Sequence, residues 1–221
     1  MNLIFQRETD ALKDDVFRLS GEVEMRLTAV LKAIRSRDAS ELDKWVSRDG
    51  EIDAKEVEIE EECLKILALH QPVARDLRFI IAVLKINNDL ERIGDIVVNI
   101  AERGIYLTSV PATGIIDQVL QMGHLVKSML RDCLDSLIEF DINKANSVIM
   151  RDDNLDQMNQ EVVDAAVDLL SKDTSGTTVE SLVQIYTIAR YLERIGDHIT
   201  NIAEDVAYLV NGTIIRHQHI T

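Results

Sequence analysis

The chain has 221 residues and a net charge of −15, and 46% of its residues are hydrophobic while only 4% are aromatic. Nucleic acid is not an expected partner of so acidic a protein, because binding to a polyanion depends on basic side chains that displace its counterions. Two prolines and nine glycines leave little material for a turn-rich β protein, so the composition favours long helices, and the charge favours cations or basic protein surfaces as partners.

The helices of the first half are predicted from apolar spacing and capping residues. Apolar residues recur every three or four positions from Leu12 to Ile34, as on one face of a helix. Asp38 with Glu41 is typical of a capping box at the start of the next helix, and Pro72 suits the first turn of the third. The predicted helices cover about 4–36, 39–69 and 72–108.

The second half repeats this organisation after the linker TSVPATG (108–114), whose proline and glycine are typical of a break between helices. Asp141 is placed to cap a fifth helix, and Thr177 with Glu180 predicts a capping box for a sixth. The Asn-Gly pair at 211–212 is expected to end that helix. The predicted helices cover about 115–139, 142–172 and 177–210.

The two halves resemble each other in sequence. Residues 91–102 read ERIGDIVVNIAE, residues 193–204 read ERIGDHITNIAE, and a shift of 102 or 103 positions superimposes the predicted helices. Because long helices joined by short connections pack antiparallel, we expect an all-α fold of two tandem antiparallel three-helix bundles related by a pseudo-two-fold axis. The predicted domains are residues 1–109 and 110–212, followed by a tail at 213–221.

Each copy of the repeated phrase predicts a narrow polar stripe along its helix. With 100° of rotation per residue, the polar positions of each copy fall within about 80° of one another, and the isoleucines between them point to the other side. The first stripe consists of Glu91, Asp95, Asn99 and Glu102, and the second of Glu193, Asp197, Asn201 and Glu204. A solvent-exposed helix face would explain one such stripe, but the two copies keep the same polar letters while the apolar letters between them change.

The preceding helix of each half carries two aspartates four positions apart, Asp49 with Asp53 and Asp152 with Asp156. On continuous second and fifth helices these pairs project among apolar residues. Like charges at this spacing destabilise a helix, so a compensating positive group is expected. Facing carboxylates offer hard oxygen ligands to Mg²⁺, Mn²⁺ or Fe, with Zn²⁺ also compatible, and the asparagines and glutamates of the stripes could extend each site to a second ion. The alternative to a bound cation is that neighbouring arginines form ion pairs with these carboxylates. The candidates are Arg48, Arg92, Arg151 and Arg194.

The remaining motifs do not indicate an enzyme. None of the five histidines follows a glutamate at the spacing of ferritin-like di-iron enzymes, and the sequence has no glycine-rich phosphate loop or nucleophile elbow. His198 is expected to pack on the apolar side of its helix, and His217 and His219 to belong to a frayed terminus. Gly94 and Gly196 are expected to permit close approach of a neighbouring helix or ligand.

No segment predicts a membrane span or an export signal. The apolar stretch FIIAVL (79–84) stops at Lys85, far short of the ~20 residues that cross a bilayer, and the N-terminus lacks the apolar segment of a signal peptide. Cys63 and Cys133 occupy non-equivalent positions, as expected for core thiols and not for a disulfide. These features predict a cytoplasmic protein without membrane insertion.

Together, the repeated motifs resemble those of the PhoU family over essentially the whole chain. The most specific segments are QPVARDLR (71–78), INNDLERIGDIVVNIAE (86–102) and YLERIGDHITNIAE (191–204). The second half departs from the pattern at 175–181, where SGTTVES stands in place of PVARDLR. A partner contact made by the arginines of the first segment would therefore have no counterpart in the second half.

The resemblance implies a cytoplasmic, all-helical regulator with two PhoU repeats, a homodimer and no enzyme activity. Such proteins couple a phosphate-specific ABC transporter to a sensor histidine kinase in signal transduction. They modulate phosphate uptake and repress the phosphate-starvation response when phosphate is plentiful. The implied partners are therefore the ATPase subunit of the transporter and the kinase.

The resemblance also implies metal ions, including multinuclear iron or zinc clusters, on paired acidic motifs. In this sequence those motifs correspond to Asp49, Asp53, Glu91 and Asp95 in the first half, and to Asp152, Asp156, Glu193 and Asp197 in the second. Two other functions stay open on the residues alone. One is a metal-dependent helical-bundle enzyme, and the other is a metal-free scaffold whose acidic stripes bind basic partner surfaces.

Overall fold

The computed structural model describes residues 3–212, which form eight α-helices and no β-strand. In chain order the helices are α1 (Leu3–Ser36), α2 (Ala39–Val46), α3 (Gly50–His70), α4 (Ala74–Thr108), α5 (Ile116–Glu139), α6 (Ile142–Met150), α7 (Asp152–Lys172) and α8 (Gly176–Asn211). None of these helices combines the length and the apolar character that crossing a bilayer requires. The expected all-α fold of two related antiparallel bundles is confirmed.

Two parts of the sequence-based organisation are not tested by these helices. The domain boundaries 1–109 and 110–212 stay predictions, with α1–α4 falling in the first range and α5–α8 in the second. The tail at 213–221, which carries His217 and His219, lies outside the described residues.

The predicted second and fifth helices are each divided in two, so the six-helix expectation was wrong. A turn that includes Ser47 and Arg48 separates α2 from α3, and Arg151 separates α6 from α7. After each break the new helix has acidic residues in its first turn, among them Asp53 in α3 and Asp152 in α7. Carboxylates at that position interact favourably with the positive end of the helix dipole, which explains why new helices start there.

The predicted caps at 38 and 141 are confirmed. The Asp38 side chain accepts a hydrogen bond from the Glu41 N–H at 3.0 Å, and the Asp141 side chain accepts one from the Asn143 N–H at 2.8 Å. Pro72 lies just before α4, which begins at Ala74, and not in its first turn as predicted. The proline nevertheless marks the helix boundary, because it cannot continue a hydrogen-bonded turn.

The predicted capping box of the last helix was wrong. The helix begins at Gly176, before Thr177, and the backbone is organised by Asp173. An Asp173 oxygen accepts a hydrogen bond from the Ser175 N–H at 2.9 Å, and the other accepts one from the Thr178 hydroxyl at 2.6 Å. A side chain that bonds to the backbone two residues on is an alternative way to start a helix, and the Thr-x-x-Glu spacing alone does not distinguish the two.

α4 and α8 form the centre of the molecule and run antiparallel. Asp89 of α4 lies 2.8 Å from His198 Nδ1 of α8, and Lys85 of α4 lies 3.0 Å from Asp205 of α8. Lower numbers on one helix therefore meet higher numbers on the other. His198 packs at the boundary between the two halves, as its sequence position predicted.

The apolar stripe of α1 is buried at every predicted position, namely Leu12, Val16, Leu19, Val23, Leu27, Val30 and Ile34.

The two cysteines are core residues. Cys63 and Cys133 are both buried and free. Burial raises the pKa of the Cys63 thiol to about 12 and also raises that of Cys133. Both thiols are therefore protonated and unreactive at neutral pH.

Gly94 and Gly196 lie where a neighbouring helix crosses closely, as predicted. A Cβ atom on Gly94 would lie 2.7 Å from Ile52 Cδ1 and 3.2 Å from Ile52 Cγ2, and one on Gly196 would clash with Leu155. Ile52 and Leu155 are fully buried, so neither can turn its side chain out to solvent. The missing Cβ atoms therefore allow α3 to lie against α4, and α7 against α8.

We expect Gly94→Ala and Gly196→Ala to lower the free energy of unfolding by about 1–3 kcal/mol each, because overpacking must displace a buried helix. Gly21→Ala is the matched control, since it is also within a helix but nothing lies within 4 Å of the added Cβ. Its expected effect has the opposite sign, a gain of up to about 1 kcal/mol from helix propensity. Urea unfolding measures all three, and a neutral Gly196→Ala would contradict the close approach.

Candidate metal centre

Three carboxylates converge where α3 crosses α4. Asp53 extends from the first turn of α3, and Glu91 and Asp95 extend from successive turns of α4. Each offers an oxygen within 4.8 Å of the others. Within residues 3–212 this is the one group of three or more His, Cys, Asp or Glu side chains that meets so closely. Asp49 stands at the N-terminal end of α3, next to this group.

The first cluster carries more negative than positive charge. Burial raises the pKa of the Glu91 carboxyl, and Asp95 raises it further. Burial likewise raises the pKa of Asp95, with Asp49 and Asp53 adding to the effect. Arg92 opposes these shifts from 3.5 Å (to Glu91) and 3.9 Å (to Asp95). The predicted alternative of ion pairs with neighbouring arginines is therefore met in part, by Arg92, whereas Arg48 pairs with Glu51.

The second cluster occupies the equivalent place between α7 and α8. The Asp152 carboxylate lies directly over Gly196, where an added Cβ would be 3.1 Å from its Oδ1. Burial raises the pKa of Asp152 to about 6, and Asp197 and then Asp156 contribute further. Desolvation and Asp156 also raise the pKa of Asp197. The four predicted residues of the second half are thus close enough to act on one another electrostatically.

The two clusters are not identical. In the second, Glu193 forms an ion pair with Arg190 and accepts a hydrogen bond from the Asn159 amide at 3.2 Å. Arg151, which the sequence placed beside this cluster, instead contacts Asp132 at 2.7 Å. In the first cluster the position equivalent to Arg190 is an asparagine, so that cluster is the more acidic of the two.

The interpretation of the aspartate pairs as part of an apolar stripe was wrong. Asp49, Asp53 and Asp156 are exposed, and Asp152 is half-buried. The prediction assumed continuous helices, but the breaks before α3 and α7 change the rotation of everything that follows. The apolar residues that α3 buries are Ile52, Ile59, Cys63 and Ile66.

Four further residues were predicted to extend the two sites to a second ion, namely Asn99, Glu102, Asn201 and Glu204, and they differ in how they are placed. The Asn99 amide donates a hydrogen bond to the Asp95 main-chain oxygen at 2.8 Å, which leaves its own oxygen as the available ligand. Glu102 is exposed and lies 4.0 Å from Arg103. In the second half, Asn201 and Glu204 are half-buried on the turns of α8 that follow Asp197. A second ion on either stripe stays a prediction.

Sequence reasoning missed three residues beside the clusters: Glu56, Asn159 and Arg190. Glu56 and Asn159 occupy equivalent positions one turn beyond the aspartate pairs. Asn87 donates to the Glu56 side chain at 3.1 Å, and burial raises the pKa of Glu56. Glu56 could have been found from the sequence, because it continues the row of carboxylates formed by Asp49 and Asp53 on α3.

The raised pKa of Asp152 predicts a pH-dependent stability of the metal-free protein. Because the folded-state pKa of about 6 lies above the ordinary value of 3.8, the folded state binds this proton more tightly than the unfolded state. The contribution to the free energy of unfolding is fully present below pH 3.8 and is lost as the pH rises through about 6. In EDTA we expect Asp152→Asn to become progressively more stable than the original protein as the pH is raised from about 5 to about 7.5.

Thermal unfolding monitored by circular dichroism checks this expectation. Asp164→Asn is the control, because Asp164 is an exposed aspartate of the same helix. Its side chain accepts a hydrogen bond from the Gln160 amide. The difference between the control and the original protein should not change over the same pH range. A constant difference for Asp152→Asn as well would contradict the raised pKa.

The fold and its acidic clusters define a class: duplicated helical-bundle proteins with one carboxylate cluster in each repeat. The PhoU domain matches residues 16–104 and 119–206, one copy in each half. The chain therefore belongs to the PhoU family.

Similar proteins cover nearly the whole chain. The phosphate-specific transport system accessory protein PhoU homolog of Clostridium acetobutylicum is 34% identical over 95% of this chain and 95% of its own length. The homolog of Deinococcus radiodurans is 33% identical over 96% and 99%. The crystal structure of PhoU from Pseudomonas aeruginosa has a TM-score of 0.89 at 34% identity, covering 95% of this chain and 100% of that one. The phosphate transport system regulatory protein PhoU from Streptococcus pneumoniae has a TM-score of 0.86 at 29% identity, covering 95% and 98%.

Proposed function

We propose that this chain is a non-enzymatic regulatory accessory protein of phosphate transport that binds metal ions at its two acidic clusters. The observation that carries the proposal is the convergence of Asp53, Glu91 and Asp95 in a protein whose relatives are named accessory proteins of the phosphate-specific transport system. The metal role rests on the geometry of the cluster, and the transport role rests on the relatives. Each therefore has its own test.

The donor set fits a hard divalent or trivalent cation. Carboxylate oxygens are the ligands that Mg²⁺, Mn²⁺ and Fe prefer, and Zn²⁺ also accepts them. Carboxylates that raise one another's pKa are stabilised when a cation takes the place of the missing positive charge. The first cluster is the stronger site in this proposal, because Arg190 already compensates Glu193 in the second.

The proposed regulatory role is negative control of the phosphate-starvation response. In this role the protein docks in the cytoplasm on the ATPase subunit of a phosphate transporter and on a sensor histidine kinase, and it modulates phosphate uptake. An all-helical chain with a net charge of −15 offers large acidic surfaces to basic patches of such partners. The homodimer implied by the family resemblance stays a prediction.

Metal binding is tested by calorimetric titration of the EDTA-treated, dialysed protein with Mn²⁺. We expect Asp95→Asn to weaken the tighter binding step at least about tenfold, since truncating one partner of a charged contact costs upwards of about 1.4 kcal/mol. Glu58→Gln removes an exposed carboxylate elsewhere on α3 and should leave both steps unchanged.

The outcomes of that titration separate the alternatives. Equal loss in Asp95→Asn and Glu58→Gln would mean a diffuse effect of surface charge, as expected of a metal-free acidic scaffold. Turnover of a redox or hydrolytic substrate by the Mn²⁺- or Fe-loaded protein, abolished in Asp95→Asn, would instead support the metal-dependent enzyme.

The regulatory role is tested in cells by deleting the gene and following a reporter of the phosphate-starvation response at high phosphate. We expect the reporter to be active in the deletion strain and repressed again by the original gene. The Glu58→Gln gene should repress fully. An unchanged reporter in the deletion strain would contradict the regulatory role whatever the protein does with metals.

A further inference from the structure

The two acidic clusters differ at two pairs of equivalent positions, and both differences change the charge. Glu56 of α3 corresponds to Asn159 of α7 by the shift of 103 positions. Asn88 of α4 corresponds to Arg190 of α8 by the shift of 102. The first difference removes a negative charge from the second half, and the second difference adds a positive charge to it. The clusters therefore offer a cation two different electrostatic environments.

Glu56 acts on the first cluster from its edge. Its side chain is half-buried one turn beyond Asp53, outside the group of three carboxylates that meets within 4.8 Å. Burial raises the pKa of Glu91, and Asp95, Asp53 and then Glu56 raise it further. Glu56 is thus close enough to repel the carboxylates that α4 contributes, and a cation bound among them would attract it.

A buried asparagine holds Glu56 against α4, one turn before Glu91. The Asn87 amide donates a hydrogen bond to the Glu56 main-chain oxygen at 2.8 Å and another to the Glu56 carboxylate at 3.1 Å. Asn87 is 0% exposed, and its own Oδ1 has no hydrogen-bond partner among the described residues. A buried acceptor without a donor is costly, and a cation is one group that satisfies it.

The second cluster repeats this feature with an asparagine in place of the glutamate. Asn159 is 9% exposed, and its amide donates a hydrogen bond to Glu193 Oε2 at 3.2 Å. Within residues 3–212 its Oδ1 has no hydrogen-bond partner. An amide beside a bare carboxylate presents its NH₂ group, and a half-turn about the last side-chain bond presents its oxygen to a cation instead. Asn159 is therefore placed to give a neutral ligand where Glu56 gives a charged one.

Arg190 gives the second cluster a positive charge from within the chain. Its guanidinium forms an ion pair with Glu193, the same carboxylate that Asn159 contacts. Asp153, which stands where the first half has Gly50, adds one exposed carboxylate and offsets only one of the two charge differences. The second cluster is therefore the less negative of the two.

We propose that the two clusters differ in the charge of the cation they prefer, with Glu56 as a further ligand that makes the first a site for hard trivalent ions. Both bind a divalent ion such as Mn²⁺, and in the second the Asn159 oxygen and the charge of Arg190 favour an ion of this lower charge. The attraction of a carboxylate grows with the charge of the ion, so one more carboxylate favours a trivalent ion over a divalent one. The number of charged ligands likewise tunes the affinity of oxygen sites for hard cations. This inference rests on the proposed metal binding and assigns an ion class to each site.

Calorimetric titration of single-site proteins with Tb³⁺ and with Mn²⁺, in a buffer that does not bind metals, tests the selectivity. Asp197→Asn disables the second cluster and so reports on the first, and Asp95→Asn reports on the second. The quantity compared is the dissociation constant of Mn²⁺ divided by that of Tb³⁺. We expect this ratio to be at least about tenfold larger for the first cluster, because it has more ligand charge.

Glu56→Gln in the Asp197→Asn protein should lower the ratio at least about tenfold, since it removes the charge and keeps the size of the side chain. Glu58→Gln in the same protein is the matched control, because Glu58 is an exposed carboxylate two positions further along α3, and it should leave the ratio unchanged. Arg190→Asn in the Asp95→Asn protein makes the second cluster more like the first and should raise its ratio several-fold. The Arg190 side chain is about half exposed, so this variant decides the question even where Glu56→Gln does not fold.

The outcomes separate the selectivity from metal binding itself. A lower ratio in Glu56→Gln than in Glu58→Gln supports the proposal, as does a higher ratio in Arg190→Asn. Equal ratios at the two clusters, or equal effects of Glu56→Gln and Glu58→Gln, would overturn the selectivity and leave metal binding in place. No response of the original protein to either ion would overturn both.

Discussion

The contacts of Ile52 with Gly94 and of Leu155 with Gly196 are the packing on which both acidic clusters depend. They let α3 and α7 lie close to α4 and α8, and the carboxylates on the facing turns are brought together as a consequence. Buried aliphatic side chains hold the helices in place from one side while like charges repel on the other. Apolar packing is worth about 1.5–3 kcal/mol for each fully buried side chain of this size, which exceeds the repulsion between partly hydrated carboxylates.

This balance explains why the clusters are suited to cations. The carboxyl groups with raised pKa values are those that burial and their neighbours place at a disadvantage when charged. A bound cation or a proton relieves the same repulsion, so both ligands compete for the same sites. Stability, metal affinity and pH are therefore linked through a few residues on α3, α4, α7 and α8.

Duplication fixed the framework of the molecule, and later substitutions made the two halves different. The first cluster keeps an asparagine where the second has Arg190, and Arg37 of the first half corresponds to Phe140 in the second. A single copy of each feature would be hard to interpret. The comparison between copies shows which positions carry the framework and which distinguish the two sites.

Much of the fold could be predicted from the sequence because its signals are local and periodic. The stripe of α1, the caps at Asp38 and Asp141, and the position of Glu91 beside Asp95 all follow from helical spacing. The break at Arg151 could not be predicted in the same way, because no proline or glycine distinguishes it from helix interior, whereas the break at Arg48 is followed by Asp49-Gly50, a pair typical of turns that the helical spacing alone did not take into account. Because the second helix was expected to be continuous, Asp49 and Asp53 were predicted to project among apolar residues. They lie instead at the start of α3, where it meets α4.

Contacts between elements distant in the chain were also beyond the sequence. The hydrogen bond of Asn159 to Glu193 and the ion pair of Arg151 with Asp132 depend on how helices cross, which spacing within one helix does not specify.

Anomalous diffraction from crystals of the Mn²⁺-loaded protein tests most directly the central claim, that the first acidic cluster binds a metal ion. The account predicts a peak about 2.2 Å from oxygens of Asp53, Glu91 and Asp95, the distance at which carboxylates coordinate such ions. Saturating Mn²⁺ with no peak among these three side chains would contradict it.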